Sequence, residues 1–453
     1  VEGKAMLACD SQGPFVMMVN DISVDPHAGD IATGRIYSGT IRKGMQVRLI
    51  GSQKIIAVQQ VGLYMGPERV TLTEVPAGNI VALVGLKDVY AGETISSNEI
   101  KEFESFMSSS EPVMTVSVEA KQTKDLPKLI EVIRQITKED PNVRATINQE
   151  TGEHLLSGMG ELHLEVTQYR IEHDHKVPIT VSPPIVVYHE AINKGSPIYE
   201  AKTPNKHNRF FLEVQPIPKE ILDKLIEHKL EGKVRDKDKH IVEKLIDSGF
   251  SNDEAKKVWA IHNNNVLVNG TRGITALFEI KELVMQGFND AMDQGPLAKE
   301  KVMGVKVILH DAKLHEDAIH RGPAQVLPAM TRGIYACMLS GDAQLWEPKQ
   351  TLSITVSQDF MGAVSRELGS SRTQISEIRQ EGDSAIFFAK APVKELIGFS
   401  QAMRSATQGR AMWQAEYAGY EPLPRELQKN TIIEIRKRKG MDPEVKPASF
   451  FLD

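Results

Sequence analysis

Cysteine is nearly missing from this chain: there are two in 453 residues, Cys9 and Cys337, far apart in sequence and without CxxC spacing. That pattern fits a reducing cytoplasm. Long apolar runs are missing too, since none approaches the roughly 20 residues a membrane span requires. The N-terminus lacks the charged-then-apolar pattern of a signal peptide. No segment matches GxxxxGK[ST], so the phosphate cradle of a P-loop is absent, and no nucleophile elbow supports a hydrolase. A net charge of -6 argues against a protein coated with basic residues and leaves any polyanion binding to local patches.

With 41% hydrophobic and 25% charged residues, the composition is that of ordinary globular protein, and the length calls for three or four domains. From Val1 to about residue 100, short β-rich runs such as "FVMMVNDISV", "GRIYSGTIRKG" and "GNIVALVGL" alternate with glycine turns. They predict a closed β-barrel that starts without a preceding helix. Such a start fits a piece of a larger protein or a chain that has lost its initiator methionine. The Ser-rich passage Ser105 to Pro112 sets the first boundary.

Beyond it, "DLPKLIEVIRQI" puts Leu126, Leu129, Ile130, Ile133 and Ile136 on one helical stripe, with Pro127 in the first turn. "GELHLEVTQYRIEHD" predicts a second stripe of Leu162, Val166, Tyr169 and His173. Strand, helix, strand, strand, helix, strand in about 75 residues is the split βαβ, or ferredoxin-like, order. The same order returns near the C-terminus, where one helix ends at Gly369 and another buries Leu396, Phe399, Met403 and Ala406 before Gly409. Between the copies lies a mixed unit with a charged, peripheral helical insert from Lys219 to Ile261. Within it "SNDE" has capping-box spacing that predicts a helix start at Asn252. The expected domains are 1–104 (β-barrel), 105–185 (ferredoxin-like), 186–346 (tip domain with insert), 347–423 (second ferredoxin-like) and 424–453 (tail).

Few motifs carry chemistry. "SGMGELHLE" lacks the third glycine of a dinucleotide fingerprint, and Glu161 would repel phosphate at the helix start, so it reads as a tight turn. The basic run Arg436 to Lys439 reads as a solvated helix end, with phosphate contact as the sharper alternative. His310, Asp311, His315 and His320 could be imagined as metal ligands of a histidine-centred metalloenzyme, but their spacing shares no helical face. His320 differs in context. Gly322 permits a bend, and Pro323 suits the first turn of a following helix, which places Ile319 to Gly322 before a helix N-terminus with Arg321 available to an anion. A second loop, "KTPNKHNR", concentrates Lys202, Lys206, His207 and Arg209 around turn residues. Taken alone, His320 could simply pack locally and the second loop could be a solvated hairpin. Two basic, histidine-bearing loops in one domain predict a nucleic-acid tip, and RNA is favoured because no recognition helix or zinc finger is evident.

Together "GRIYSGTIRKG", "SGMGELHLE", "TPNKHNR" and "DAIHRGPAQVLP", in this order, resemble the family of archaeal and eukaryotic translation elongation factor 2, from its second domain to its end. The resemblance implies a ribosomal-protein-S5-like fold for the tip domain. It implies that His320 matches a histidine modified to diphthamide, the target of ADP-ribosylating toxins. Arg321, Gly322, Lys202, Lys206, His207, Asn208 and Arg209 would form the rest of a tip that contacts the ribosome. The implied partners are ribosome, rRNA, A-site tRNA and mRNA, together with the diphthamide-synthesis enzymes; the implied protein is a cytoplasmic monomer without membrane contact. Its GTP-binding domain, with GTP and magnesium, is not in this chain, and Asn205-Lys206-His207-Asn208 lacks the aspartate of NKxD, so the chain alone is expected to bind no cofactor and to be no enzyme. A paralogous ribosome- or spliceosome-associated GTPase is the near alternative.

Overall fold

A computed structural model describes residues 2–25, 28–86, 89–103, 112–140, 142–147, 154–234 and 238–452. The chain divides into two compact units, Val1–Val186 with Val393–Gly409, and Val187–Pro392 with Arg410–Asp453. Cys9 is exposed and Cys337 buried, and both are free thiols. Among the described residues no helix is long and apolar enough to cross a membrane.

The first unit opens on a short helix, α1 (Glu2–Leu7), where the sequence reading expected none; its Ala, Met, Leu, Glu and Lys are all strong helix formers. Strands β1 (Val16–Asp25), β2 (Gly29–Ser38), β3 (Thr40–Arg42), β4 (Gln46–Leu49), β5 (Lys54–Ala57), β6 (Gln60–Met65), β7 (Glu68–Leu72), β8 (Glu74–Pro76), β9 (Ile80–Val84) and β10 (Thr94–Ser96) follow. Eight of them form one sheet in the order β5-β4-β10-β1-β2-β9-β6-β7, while β3 pairs with β8 in a separate ladder. The expected closure is not found: no pairing among the described residues joins β5 to β7. The sheet instead curls around one core of Met17, Val19, Ile22, Ile36, Val61, Leu83 and Ile95, and register shifts between β1 and β2 at Val16/Met17 and Val19/Asp21 help it bend. Gly39 links β2 to β3 with φ of +79°, and a Cβ there would meet the Phe15 backbone at 2.5 Å, so the turn admits only glycine.

The predicted boundary at Ser105 to Pro112 falls at residues 105–111 outside the described ones. Beyond it come β11 (Met114–Ala120), α2 (Leu126–Glu139), β12 (Arg144–Ile147), β13 (His154–Gly158), α3 (Glu161–Tyr169), β14 (Ile179–Val181) and β15 (Ile185–Val186). The order β12-β13-β11-β14 is that of the expected split βαβ sheet, and β15 adds to β11. Helix α2 buries Leu129, Val132, Ile133 and Ile136, close to the predicted stripe. Helix α3 does not: Leu162, Val166 and Tyr169 are 46%, 51% and 58% exposed, while Leu164 and Thr167 face inward. Both sets recur at helical spacing, and the buried face is the less apolar of the two because it includes Thr167. Packing against the sheet, rather than hydrophobicity, selects it.

In the second unit β16 (His189–Ile192), β17 (Tyr199–Lys202) and β18 (Arg209–Pro216) lead into α4 (Lys219–His228), β19 (Gly232–Lys233), α5 (Lys239–Ser248), α6 (Asn252–Ala255), β20 (Val258–His262) and β21 (Asn265–Asn269). Then come α7 (Thr275–Glu279), α8 (Lys281–Asp293), β22 (Lys301–Val302), β23 (Val305–Lys313) and α9 (Pro323–Ser340). Six strands make the sheet β17-β18-β23-β21-β20-β19. Period-2 burial in β18 turns Phe210, Leu212 and Val214 onto a core shared with Val284 and Phe288 of α8 and Val326 and Ile334 of α9. Ser251 Oγ accepts from Glu254 N at 3.2 Å and starts α6 at Asn252, as its capping-box spacing requires. The insert is not peripheral, because β19 and β20 lie in the sheet and its helices share a second core of Leu222, Leu225, Leu245, Phe250 and Val266.

The remaining elements are β24 (Ala343–Ser357), α10 (Met361–Gly369), β25 (Gln374–Glu381), β26 (Ser384–Pro392), α11 (Phe399–Thr407), β27 (Met412–Pro422) and α12 (Arg425–Arg438). The path β24-β26-β25 with β27 on β24 is again the split βαβ order, although α11 groups with the first unit. In α11 Leu396 just before it and Met403 are buried, while Phe399 and Ala406 are only half-buried. The basic run that ends α12 is divided: Arg436 is buried and donates to the carbonyls of Leu297, Asp442 and Glu444, and Lys439 donates to those of Ala298 and Lys299. Lys437 and Arg438 are exposed.

Candidate nucleic-acid interface

The turn between β17 and β18 is built by its own polar side chains. Thr203 N donates to Asn208 O at 3.0 Å, Asn208 N to Thr203 Oγ1 at 3.0 Å, and His207 N to Asn205 Oδ1 at 3.1 Å. Lys206 takes φ of +60° in the turn, and its side chain is exposed.

The second loop runs from Leu314 to Gly322. Asp317 caps a short 3-10 turn by accepting from Ile319 N at 3.0 Å, and its own N–H donates to His315 Nδ1 at 3.1 Å. That bond leaves the proton of a neutral His315 on Nε2. Gly322 lies at φ of -71°, so the bend uses no left-handed backbone; it precedes Pro323, which opens α9.

Two asparagines tie the loops together. Asn208 Nδ2 and Asn205 Nδ2 donate to His320 O at 2.8 and 3.2 Å, and Asn208 Oδ1 accepts from His315 N at 2.9 Å. Gln325 of α9 accepts from Asn205 N at 2.9 Å. The result gathers three imidazoles: His207 to His320 is 4.7 Å between ring centroids, His315 to His320 is 4.5 Å, and His207 to His315 is 5.1 Å. His320 is half-buried against its two neighbours, and Ile319 beside it is 79% exposed.

The structure brings His320, Lys206 and His207 together on one exposed knob, with Lys202 and Arg209 on the strands beneath. Two expected contact residues are turned inward, which corrects the sequence reading. Arg321 is 6% exposed; its Nη2 pairs with Glu279 at 3.0 Å and donates to Glu316 O at 3.3 Å, so its guanidinium braces the loop against α7 instead of facing an anion. Asn208 is fully buried, because its amide is consumed by the loop-to-loop bonds. Arg209 is exposed but pairs with Glu200 at 2.8 Å. Gly322 offers no side chain to a partner, and its carbonyl accepts from Gln325 N at 2.9 Å and Val326 N at 3.1 Å at the start of α9.

Sequence reading missed Lys313 and the place of His315 in the tip. Register makes Lys313 visible: Lys202 lies opposite Arg209, and Arg209 opposite Lys313, so the ends of three adjacent strands present a basic row. Lys313 is exposed, 5.7 Å over the Phe211 ring. The imagined metal set is dispersed, with His310 paired to Glu213 at 2.6 Å and Asp311 accepting from Ala312 N. Among the described residues no three or more His, Cys, Asp or Glu side chains are placed to hold a metal ion.

Four family models match the chain in order: elongation factor Tu domain 2 over residues 29–96, and elongation factor G domain III over 109–183, domain IV over 231–342 and C-terminus over 344–431. The chain is 52% identical over 447 residues to elongation factor 2 of Methanosphaera stadtmanae, which covers 98% of this chain and 61% of that relative. It is 50% identical over 442 residues to elongation factor 2 of Thermococcus kodakarensis, or 97% of this chain and 60% of the relative. The chain thus spans about 60% of the length of these curated relatives. Matched domain by domain and along nearly its whole length, it belongs to the family of elongation factor G and archaeal elongation factor 2.

Proposed function

We propose that this chain is the ribosome-engaging part of a translational GTPase that promotes translocation of tRNA and mRNA in the cytoplasm. The observation that carries the reading is the knob itself: three clustered imidazoles and Lys206, above a basic row, rigidly tied by Asn205 and Asn208 to the backbone of His320. A polyanion is met best by fixed donors on a braced scaffold, because little side-chain entropy remains to be lost. Lys206, His207 and His320 contact RNA in this reading, with Lys202, Arg209 and Lys313 adding charge, while Arg321 and Asn208 position the loop. The partners are rRNA, A-site tRNA and mRNA. His320 is the diphthamide-type residue and the substrate of the modifying enzymes. The protein works as a monomer. GTP and magnesium belong to a domain outside this chain, whose own residues do not suit the nucleotide: Asn208 stands where NKxD needs aspartate, and it is buried and engaged.

Ribosome or RNA binding by the purified chain, measured across a salt series, tests the division of roles. Lys206→Ala is expected to flatten the plot of log K against log salt by about 0.7–0.9, the loss of one phosphate contact. Arg321→Ala is expected to leave the slope unchanged and to lower the melting temperature. The reverse pattern overturns the reading. Mass spectrometry of the His320 peptide from native protein tests the modification, and an unmodified histidine there removes that part.

A further inference from the structure

Ile319 has no part in the reading above, which gives the tip polar contacts alone. Its side chain is 79% exposed, immediately before His320. Single apolar residues on a surface are ordinary and need no explanation. What separates this one is how firmly it is presented. Ile319 N donates to Asp317 Oδ1 at 3.0 Å, and His320 N donates to Asp317 O at 3.2 Å. On the other side His320 O accepts from Asn208 and Asn205, and Arg321 is buried and paired with Glu279. The backbone is therefore fastened both before and after Ile319. The same loop also has access to an interior, because Leu314 packs against the core of the tip domain. Of its two large aliphatic side chains, the loop turns one inward and leaves the other in water.

The surroundings say what such a side chain fits. Beside it lie the imidazoles of His320, His315 and His207, flat rings of the kind on which bases stack, and Lys206 stands exposed on the neighbouring turn. Cations reach only the phosphates of a nucleic acid, whereas its bases offer apolar faces. An aliphatic side chain among imidazoles and a lysine matches a surface that carries both.

We propose that Ile319 is an apolar wedge, pressed against a base of the RNA that His320 and Lys206 meet, and that it supplies a part of the affinity that salt does not screen. The proposal rests on the RNA-binding reading of the tip. Aliphatic side chains, isoleucine among them, act in this way where proteins insert between base steps. Their contribution comes from area removed from water, so it neutralises no phosphate and releases no counterion. A rigid backbone favours the contact, since little ordering is left to be done on binding.

Ribosome binding by the purified chain across a salt series tests the wedge. Ile319→Ala is expected to weaken binding about three- to tenfold at every salt concentration, with the slope of log K against log salt unchanged. Its melting temperature should stay that of the wild type, because the side chain is exposed, and Ile319→Leu should keep most of the affinity. A photoreactive diazirine analogue of leucine placed at position 319 is expected to crosslink to RNA on the ribosome. Unchanged affinity in Ile319→Ala, while Lys206→Ala flattens the slope, overturns the wedge and leaves the RNA-binding reading standing. Crosslinks to ribosomal protein alone, or an altered slope in Ile319→Ala, overturn it as well. A wild-type chain whose binding ignores salt removes the RNA-binding reading, and the wedge with it.

Discussion

Asn208 and His320 sit 2.8 Å apart, yet their side chains do opposite work. Asn208 is fully buried, and its amide satisfies His320 O and His315 N; replacing it with alanine strands His315 N, leaves His320 O with Asn205 alone, and is expected to cost about 1–3 kcal/mol. His320→Ala removes a half-buried ring whose neighbours are two other imidazoles, so the expected loss is below about 1 kcal/mol. Urea unfolding of the two variants checks the contrast, and a larger loss for His320→Ala would make the ring a packing residue. The contrast also marks where sequence stopped being informative. Turn chemistry and the basic loops were legible in "TPNKHNR" and "HRGP", but nothing in a linear pattern tells that Arg321 turns toward Glu279 on α7, over 40 residues away. A guanidinium looks the same in sequence whether it meets a phosphate or a carboxylate.

At the scale of elements, periodicity located helices well and faces less well. Helix α2 carries one apolar stripe and buries it, whereas α3 offers two, and the sheet takes Leu164 and Thr167. Leu164→Ala should therefore cost about 2–5 kcal/mol, and Val166→Ser less than about 0.5 kcal/mol, in denaturant unfolding. Equal costs would restore the stripe read from sequence. Another joint between elements depends on a proton. At the end of β20, His262 Nδ1 faces Glu231 at 2.5 Å and Nε2 faces Asp293, the last residue of α8, at 2.8 Å. Only an imidazolium can donate to both, and the hydrogen bond to Glu231, then that to Asp293, raises the pKa against the cost of burial. A raised folded pKa means the contribution is fully present below the unfolded value near 6.5 and is lost as pH rises through the folded one. With both carboxylates half-exposed the loss is about 1 kcal/mol or less. Stability measured from pH 6 to 9 should decline in the wild type more than in His262→Gln; parallel profiles would show the joint to be inert.

For the whole molecule, chain order and compact units disagree, and the disagreement predicts how the protein can be divided. Sequence placed α11 with the strands that flank it, because β26, α11 and β27 follow one another in the split βαβ order. By contacts, the segment Val393–Gly409 belongs instead with Val1–Val186, so the backbone leaves the second unit after Pro392 and returns at Arg410. Local periodicity fixes which residues form a helix, but not which of two cores a helix joins when an insertion of that kind intervenes. A cut after Val186 therefore cannot release an intact first unit, since Val393–Gly409 stays with the other piece. The fragment 1–186 is expected to melt at lower temperature than the same unit in the full chain, and to recover when a peptide spanning 393–409 is added in trans. Calorimetry of the fragment with and without that peptide decides the matter. A fragment that melts like the full chain, and ignores the peptide, would return α11 to the sheet that its sequence position suggests.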